Sequence, residues 1–368
     1  MKKFSFVGAI SIIVFFLASS CNSAKPQVQF APKKPKRIIL MIGDGMGLTQ
    51  ISTLFVERDN TNNFQRFMHI GFINTKSGTH KITDSAAGAT AFSCGVKTYN
   101  NSVGMGMDTT AANNLVEIFS QHNYKTALVA TSSITHATPG AFYAHTSHRS
   151  HEQDIANQLL KSDIDFFAGG GLKFFSKLQP QMKLYNWQID SVPGVHFKPE
   201  VKYNHHKKYG YLKAADGMPT METNRGNFLT DASNEALKYL NNSRFFMMIE
   251  GSQIDWGGHA KNYEYVKTEM FDFDAAVGAM LDFAEKDGNT LVIVTADHET
   301  GGLALVAQDY TDKNGNTKEN YNAVQPKFIT GGHTATLIPV MAYGPGAENF
   351  QGFYENNEIF YKIKNLMR

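Results

Sequence analysis

The sequence predicts an α/β fold, an α/β/α sandwich around a mostly parallel central sheet. Three observations point there. Short, continuous apolar runs recur along the chain, as in strands whose sheet is covered on both faces. Between them stand segments with apolar residues three and four apart, which is helical spacing. Acidic residues and histidines gather just after those runs, beside glycine, at the strand ends where open α/β sheets collect ligands.

Taken in order, residues 1–20 read as a lipoprotein-type signal peptide. Lys2 and Lys3 precede an apolar stretch from Phe6 to Leu17, and small residues then lead to Cys21. That stretch is shorter than the roughly 20 residues a membrane-spanning helix needs. Residues 21–36 (CNSAKPQVQFAPKKPK) are polar and proline-bearing and read as a flexible tether. Residues 37–368 read as a single domain. Its apolar runs are 37–42 (RIILMI), 125–130 (KTALVA), 244–249 (RFFMMI), 290–295 (TLVIVT) and 336–343 (TLIPVMAY). A helix is expected over 263–284, from Val266, Met270, Phe273, Val277, Met280 and Leu281, with a stop at Asp287-Gly288-Asn289. Asn314-Gly315 suggests a hairpin. Residues 180–227, with Pro180, Pro193, Pro199, Gly210 and Pro219, lack periodicity and read as a surface excursion.

Charge and cysteine content narrow the function classes. Removing Lys2 and Lys3 with the signal takes the formal charge from +2 to neutral, which gives no reason to expect a nucleic-acid partner. The two cysteines are Cys21 and Cys94. With Cys21 lipidated, Cys94 has no partner, so stability must come from packing or metal.

The strand ends carry the chemistry. Gly43-Asp44-Gly45 follows the first run; Glu250, Asp255 and His259 follow RFFMMI; Asp297-His298 follow TLVIVT; Gly331-Gly332-His333 precede TLIPVMAY. Any one of these is ordinarily a turn residue or a surface histidine. Together they are oxygen and nitrogen ligands for Zn²⁺ and Mg²⁺, and clustered carboxylates would repel one another without cations. A polynuclear metal site follows. Thr138, in His136-Ala137-Thr138-Pro139, offers a hydroxyl, and Arg149 a planar fork for an oxyanion. His145, His148 and His151 have spacing that suits a polar helix face and stay unassigned. Ser85, in TDSAAGATAFSC, reads either as a helix cap or as a nucleophile at a helix N-terminus.

Six motifs together settle that choice: IGDGMG around Asp44, TDSAAGATAFSCGVKTYN, HATPGAFYAHTSHR, EGSQIDWGGHA, VTADHETGG and GGHTATLIPVMAYGPGA. In order and spacing the chain resembles the alkaline phosphatases from about residue 37 to the C-terminus, without the large crown insertion of the animal enzymes. The resemblance implies hydrolysis of small phosphate monoesters through a phosphoserine on Ser85, with Arg149 gripping the phosphate. It implies Asp255, His259 and His333 as one zinc site and Asp297 and His298 as a second. It implies, too, that Asp44 bridges the second to a magnesium site completed by Thr138 and Glu250. His136 and Trp256 fall near that third site, where some bacterial members have Asp and Lys and animal enzymes have two histidines. Histidine there opens the third site to zinc as well as magnesium. Family resemblance also makes a homodimer an expectation, and Cys21 makes a lipid anchor in a bacterial envelope membrane, facing the periplasm, another.

Two other functions compete. A phosphodiesterase or sulfatase of the same superfamily would share the two-metal core. The Thr138/Glu250 pair and the lack of a Cys/Ser-x-Pro-x-Arg signature at 83–94 speak against them. A non-catalytic metal-binding surface protein would have lost a ligand or the nucleophile, and all are present.

Overall fold

The computed structural model describes residues 34–367 except 59–60, 196, 198, 200 and 241–242, so the signal, most of the tether and Cys21 lie outside the described residues. Fourteen strands are described: β1 (Arg37–Gly43), β2 (His69–Asn74), β3 (Lys125–Ser133), β4 (Phe166–Gly170), β5 (Trp187–Asp190), β6 (Lys208–Leu212), β7 (Phe245–Gly251), β8 (Thr290–Thr295), β9 (Glu299–Thr300), β10 (Leu303–Thr311), β11 (Thr317–Phe328), β12 (His333–Thr334), β13 (Ile338–Tyr343) and β14 (Gly352–Glu355). Ten of them form one sheet in the order β14-β2-β13-β8-β1-β7-β3-β4-β6-β5. Every ladder is parallel except those of β13, which runs antiparallel to β2 and β8. The mostly parallel α/β sheet expected from the sequence is the sheet observed.

The four apolar runs that best announce strands are its centre. Residues of β7 and β8 are buried throughout, as is all of β1 and β3 beyond the first residue. Helices cover both faces, so these strands have no polar side to show. Truncating one such side chain, Ile39 or Leu291 for instance, to alanine is expected to lower stability by about 2–5 kcal/mol in a denaturant melt.

The long helix forms where its spacing places it, over Tyr263–Asp287. The Asn262 side chain accepts from the Tyr265 N–H at its start, and Gly288, at φ 64°, closes it in a conformation that glycine adopts without strain. The Asn314-Gly315 hairpin joins β10 to β11 through a turn in which the Asp312 carboxylate accepts from the N–H groups of Asn314 and Asn316. This hairpin fills the segment between His298 and His333. Residues 180–227, expected to be a surface excursion, instead supply β5 and β6, the edge of the sheet. Among the described residues no helix is long and apolar enough to cross a membrane.

Direction decides where the chemistry gathers. Residues that follow parallel strands β1, β3, β7 and β8 come out at one end of the sheet. Because β13 is antiparallel, the residues that precede it lie at that same end, which brings His333 to the others. β9 and β12 pair there, His333 opposite Thr300.

Candidate active site

At the carboxyl end of the sheet, helix Ser85–Cys94 is buried along its whole length and consists mostly of small residues. Gly88 lets it close in, since a Cβ there would lie 2.9 Å from the Asp297 Cβ. Asp84, not Ser85, is the N-cap: its carboxylate accepts from the Ala87 N–H at 3.0 Å. Ser85 is thus freed from capping. It is the first helical residue, 2% exposed, with Oγ 3.3 Å from His298 Nε2.

Around it the sequence candidates converge. His298 Nε2 lies 3.2 Å from Asp297 Oδ2 and 3.6 Å from Asp44 Oδ1, and all three residues are fully buried. The His298 ring stacks on His333 with centroids 3.5 Å apart. His333 Nε2 stands 3.6 Å from Asp255 Oδ1 and 3.2 Å from His259 Nε2, and His259 Nε2 lies 3.3 Å from Asp255 Oδ2. Backbone carbonyls orient the two outer rings: Gly331 O meets His259 Nδ1 at 2.7 Å, and Thr83 O meets His333 Nδ1 at 2.8 Å. Such contacts leave the Nε2 atoms to face the cluster.

Three groups of side chains bring ligand atoms within 4.8 Å of one another: Asp255, His298 and His333; Asp44, Asp297 and His298; and Asp44, His136 and Glu250. The third includes His136, which the resemblance placed only nearby. Several buried oxygens in these groups have no hydrogen-bond partner: both carboxylate oxygens of Asp44, Oδ2 of Asp297, Oε1 of Glu250 and the hydroxyl of Thr138. Acceptors left bare in a dry site are costly, and cations relieve them. The donor set therefore fits metal ions.

Electrostatics agree. Burial, reinforced by Asp297, Asp255 and Glu250, holds the Asp44 carboxyl well above the usual range. Burial pushes Glu250 up to about 7, and burial together with the Asp255 charge does the same to Asp297. Burial acts on Asp255 too, but the His259, His298 and His333 imidazoles overcome it and hold its carboxyl below the usual range. Its hydrogen bond to Asp255 raises His259 to about 9. Burial and, after it, Arg149 lower His136 to about 3, so that ring is neutral.

Arg149 forms the remaining wall. Its Nη1 donates to Asp84 Oδ2 at 3.4 Å and its Nη2 contacts His136 Nε2 at 3.2 Å. Its backbone N–H is held by Asn101 O at 2.8 Å, and the Asn101 N–H donates to Asp84 Oδ2 at 3.0 Å. Trp256, half-buried, stands edge-on to His136 with ring centroids 6.1 Å apart. His145, His148 and His151 are not on a helix face, since the helix begins only at Glu152. His145 instead bonds Gly104 O and Glu117.

Some functional contacts were not read from the sequence. The Thr300 hydroxyl bonds Asp255 and faces His298 Nδ1 at 3.2 Å, and the Ser132 hydroxyl reaches Glu250 at 3.2 Å. Isolated hydroxyl residues carry no spacing signal. The clamp by Asp84 had one, an acidic residue directly before a helix.

Comparison with known proteins bears on the family of the whole chain. The family model for alkaline phosphatase matches residues 35–324. The chain is 31% identical along its whole length to alkaline phosphatase 3 of Bacillus subtilis, 96% of which is covered. Escherichia coli alkaline phosphatase is 30% identical over 90% of this chain and 86% of its own. Among solved structures, the alkaline phosphatase of the Antarctic bacterium TAB5 is 50% identical, with a TM-score of 0.87 over 91% of this chain and 98% of its own. A histidine-to-aspartate variant of the TAB5 enzyme has magnesium bound in its M3 site. With the site and these relatives in agreement, the chain belongs to the alkaline phosphatase family and is a metal-dependent phosphatase of phosphate monoesters.

Proposed function

We propose that the chain hydrolyses phosphate monoesters in two displacements through a phosphoserine on Ser85. The observation that carries this is the buried Ser85 hydroxyl at a helix N-terminus, 3.3 Å from Nε2 of His298, whose ring also lies against the buried carboxylates of Asp44 and Asp297. In the first displacement Oγ bonds to phosphorus as the P–O bond to the alcohol breaks, and the alcohol leaves with a proton. In the second, water takes the phosphoryl group and Ser85 recovers its hydrogen. Arg149, fixed by Asp84 and Asn101, grips the non-bridging oxygens. The positive end of helix Ser85–Cys94 adds to the field on them.

Two zinc ions would sit on Asp255, His259 and His333 and on Asp44, Asp297 and His298. A third ion, magnesium or zinc, would sit on Asp44, Thr138 and Glu250 beside His136. Ions so held would supply positive charge to the phosphoryl group and would lower the pKa of a nearby hydroxyl. Acid-quenched turnover of a labelled monoester should leave phosphate on the peptide that contains Ser85, and elemental analysis should return two zinc ions and one further ion per chain. Steady turnover with an unlabelled peptide would refute the covalent route. A phosphate diester or a sulfate ester should be hydrolysed far more slowly than the monoester.

Cys21, outside the described residues, is the acceptor of a lipid anchor in this reading, which puts the enzyme on an envelope membrane, facing the periplasm. Cys21→Ser should move activity from the membrane fraction to the soluble fraction of the envelope. Wild-type activity already free of membrane would refute the anchor.

A further inference from the structure

The loop between β6 and helix Phe228–Leu240, part of the stretch whose sequence reads as surface, reaches the active site and is tied down from three sides. Met218 N–H donates to Thr131 O at 2.9 Å, just before the turn that carries His136. Gln253 Nε2, two residues before Asp255, donates to Thr131 O and to Met218 O at 3.0 and 2.7 Å. Its Oε1 accepts from Tyr265 OH at 2.8 Å. Arg225, fully buried, donates to Pro219 O at 3.0 Å and pairs with Glu269 and Asp272 of the long helix. Glu269 also accepts from the Met221 N–H at 3.0 Å. A buried cation bound to two buried carboxylates and to the loop backbone leaves that loop little freedom.

Gly217 lies inside this anchored stretch. It does not have the positive φ that would demand glycine. What demands it is the neighbour: a Cβ there would lie 2.6 Å from Trp256 Cη2 and 3.0 Å from Cζ3. Trp256 in turn stands edge-on to His136, whose Nε2 contacts Arg149 Nη2 at 3.2 Å. Backbone fixed by the Arg225 cluster thus meets the indole, the indole meets the imidazole, and the imidazole meets the guanidinium.

We propose that Gly217 is a positioning residue for the phosphate pocket: the missing side chain seats the Trp256 ring against His136 and thereby fixes the Arg149 guanidinium. This rests on Arg149 as the phosphate grip. The loop, held by Arg225, Gln253 and Met218, is the rigid partner, so a methyl added at 217 displaces the indole and not the loop.

The test is a double-mutant cycle with Gly217→Ala, Trp256→Phe and the pair, made in the full, metal-loaded protein. Phenylalanine withdraws the Cη2 and Cζ3 atoms that the new methyl would strike. Gly217→Ala is expected to raise the inhibition constant of inorganic phosphate by about threefold or more, as a small misplacement of a binding group does. It is also expected to shift tryptophan emission. Trp256 is the source of that shift, because the one other tryptophan, Trp187, is 1% exposed in the core. In the Trp256→Phe background, Gly217→Ala should leave the phosphate constant unchanged. The proposal is overturned by an equal change in both backgrounds, by an emission shift with an unaltered constant, or by no change in either reading. Should Gly217→Ala fold poorly, the pair still decides, since it must match Trp256→Phe alone. Phosphate labelling of Ser85 in wild type tests the covalent mechanism independently of the three variants.

Discussion

Ser85→Ala is expected to lower kcat for monoester hydrolysis by roughly a thousandfold or more, the scale at which loss of a covalent nucleophile is felt. It should do so while leaving fold and metal content intact. Asp84, not Ser85, caps the helix, and alanine is a good residue in a first helical turn. The oxygens and nitrogens that would hold the ions belong to other side chains. The residual rate should respond to Arg149, which still binds the phosphoryl oxygens when the hydroxyl is gone. Melting temperature and bound metal measured beside kcat make the result interpretable. A variant turning over near the wild-type rate would take the nucleophile away from Ser85, and one that has lost its metal would make the comparison void until a second variant, Ser85→Gly, repeats it.

Much of the site was legible because the central strands are apolar on both faces. β1, β3, β7 and β8 announce themselves as unbroken runs, so Asp44, Glu250 and Asp297 stand out at their ends as polar residues with nowhere else to be. His333 was legible through its motif, whereas its position depends on β13 running antiparallel, which no local pattern states. β2, β4, β14, the edge strand β5 and its neighbour β6 escaped. β4 is five residues long and ends in two glycines, and β14 is largely exposed. Partial exposure dilutes the apolar signal in β2 and β5, and β6 lies among the prolines and glycines of 180–227. Helix Ser85–Cys94 has no apolar stripe, since every face is buried and small residues do the packing. Contacts such as Gly217 against Trp256 join residues far apart in sequence through shape alone. Composition and spacing hold no record of them.

Removing the ions should destabilise the protein, and more so as pH rises through the range from about 6.5 to 9. In the metal-free fold, burial pushes Glu250 up to about 7, and burial with repulsion from neighbouring carboxylates pushes Asp297 up to about 7 and raises Asp44 as well. A carboxyl raised on folding binds its proton more tightly in the folded state, so its contribution to stability is lost as pH climbs through the folded value. His259, raised to about 9 by Asp255, acts with the same sign, present below the unfolded histidine value and lost toward 9. It is partly exposed, so solvent screening reduces its share. His136 and His298, depressed by burial, have the opposite sign, but only below about 6.5, where unfolded histidines begin to charge. Above that pH they drop out. Asp297 and Glu250 lose their contribution between the ordinary carboxylate range and about 7, so the slope beyond about 7 belongs to His259. Cations bind the deprotonated ligands, so loading should offset the loss: at a hundredfold excess over Kd one site contributes about 2.7 kcal/mol. In a chain of this size that amounts to roughly 4 °C in Tm. Thermal melts of metal-loaded and chelator-treated protein at pH 6.5, 7.5 and 8.5 should therefore diverge, the gap widening with pH and closing again when zinc and magnesium are restored. Coincident melts at all three values, with metal loss verified by elemental analysis, would mean that Asp44, Glu250 and Asp297 do not share one cation cluster.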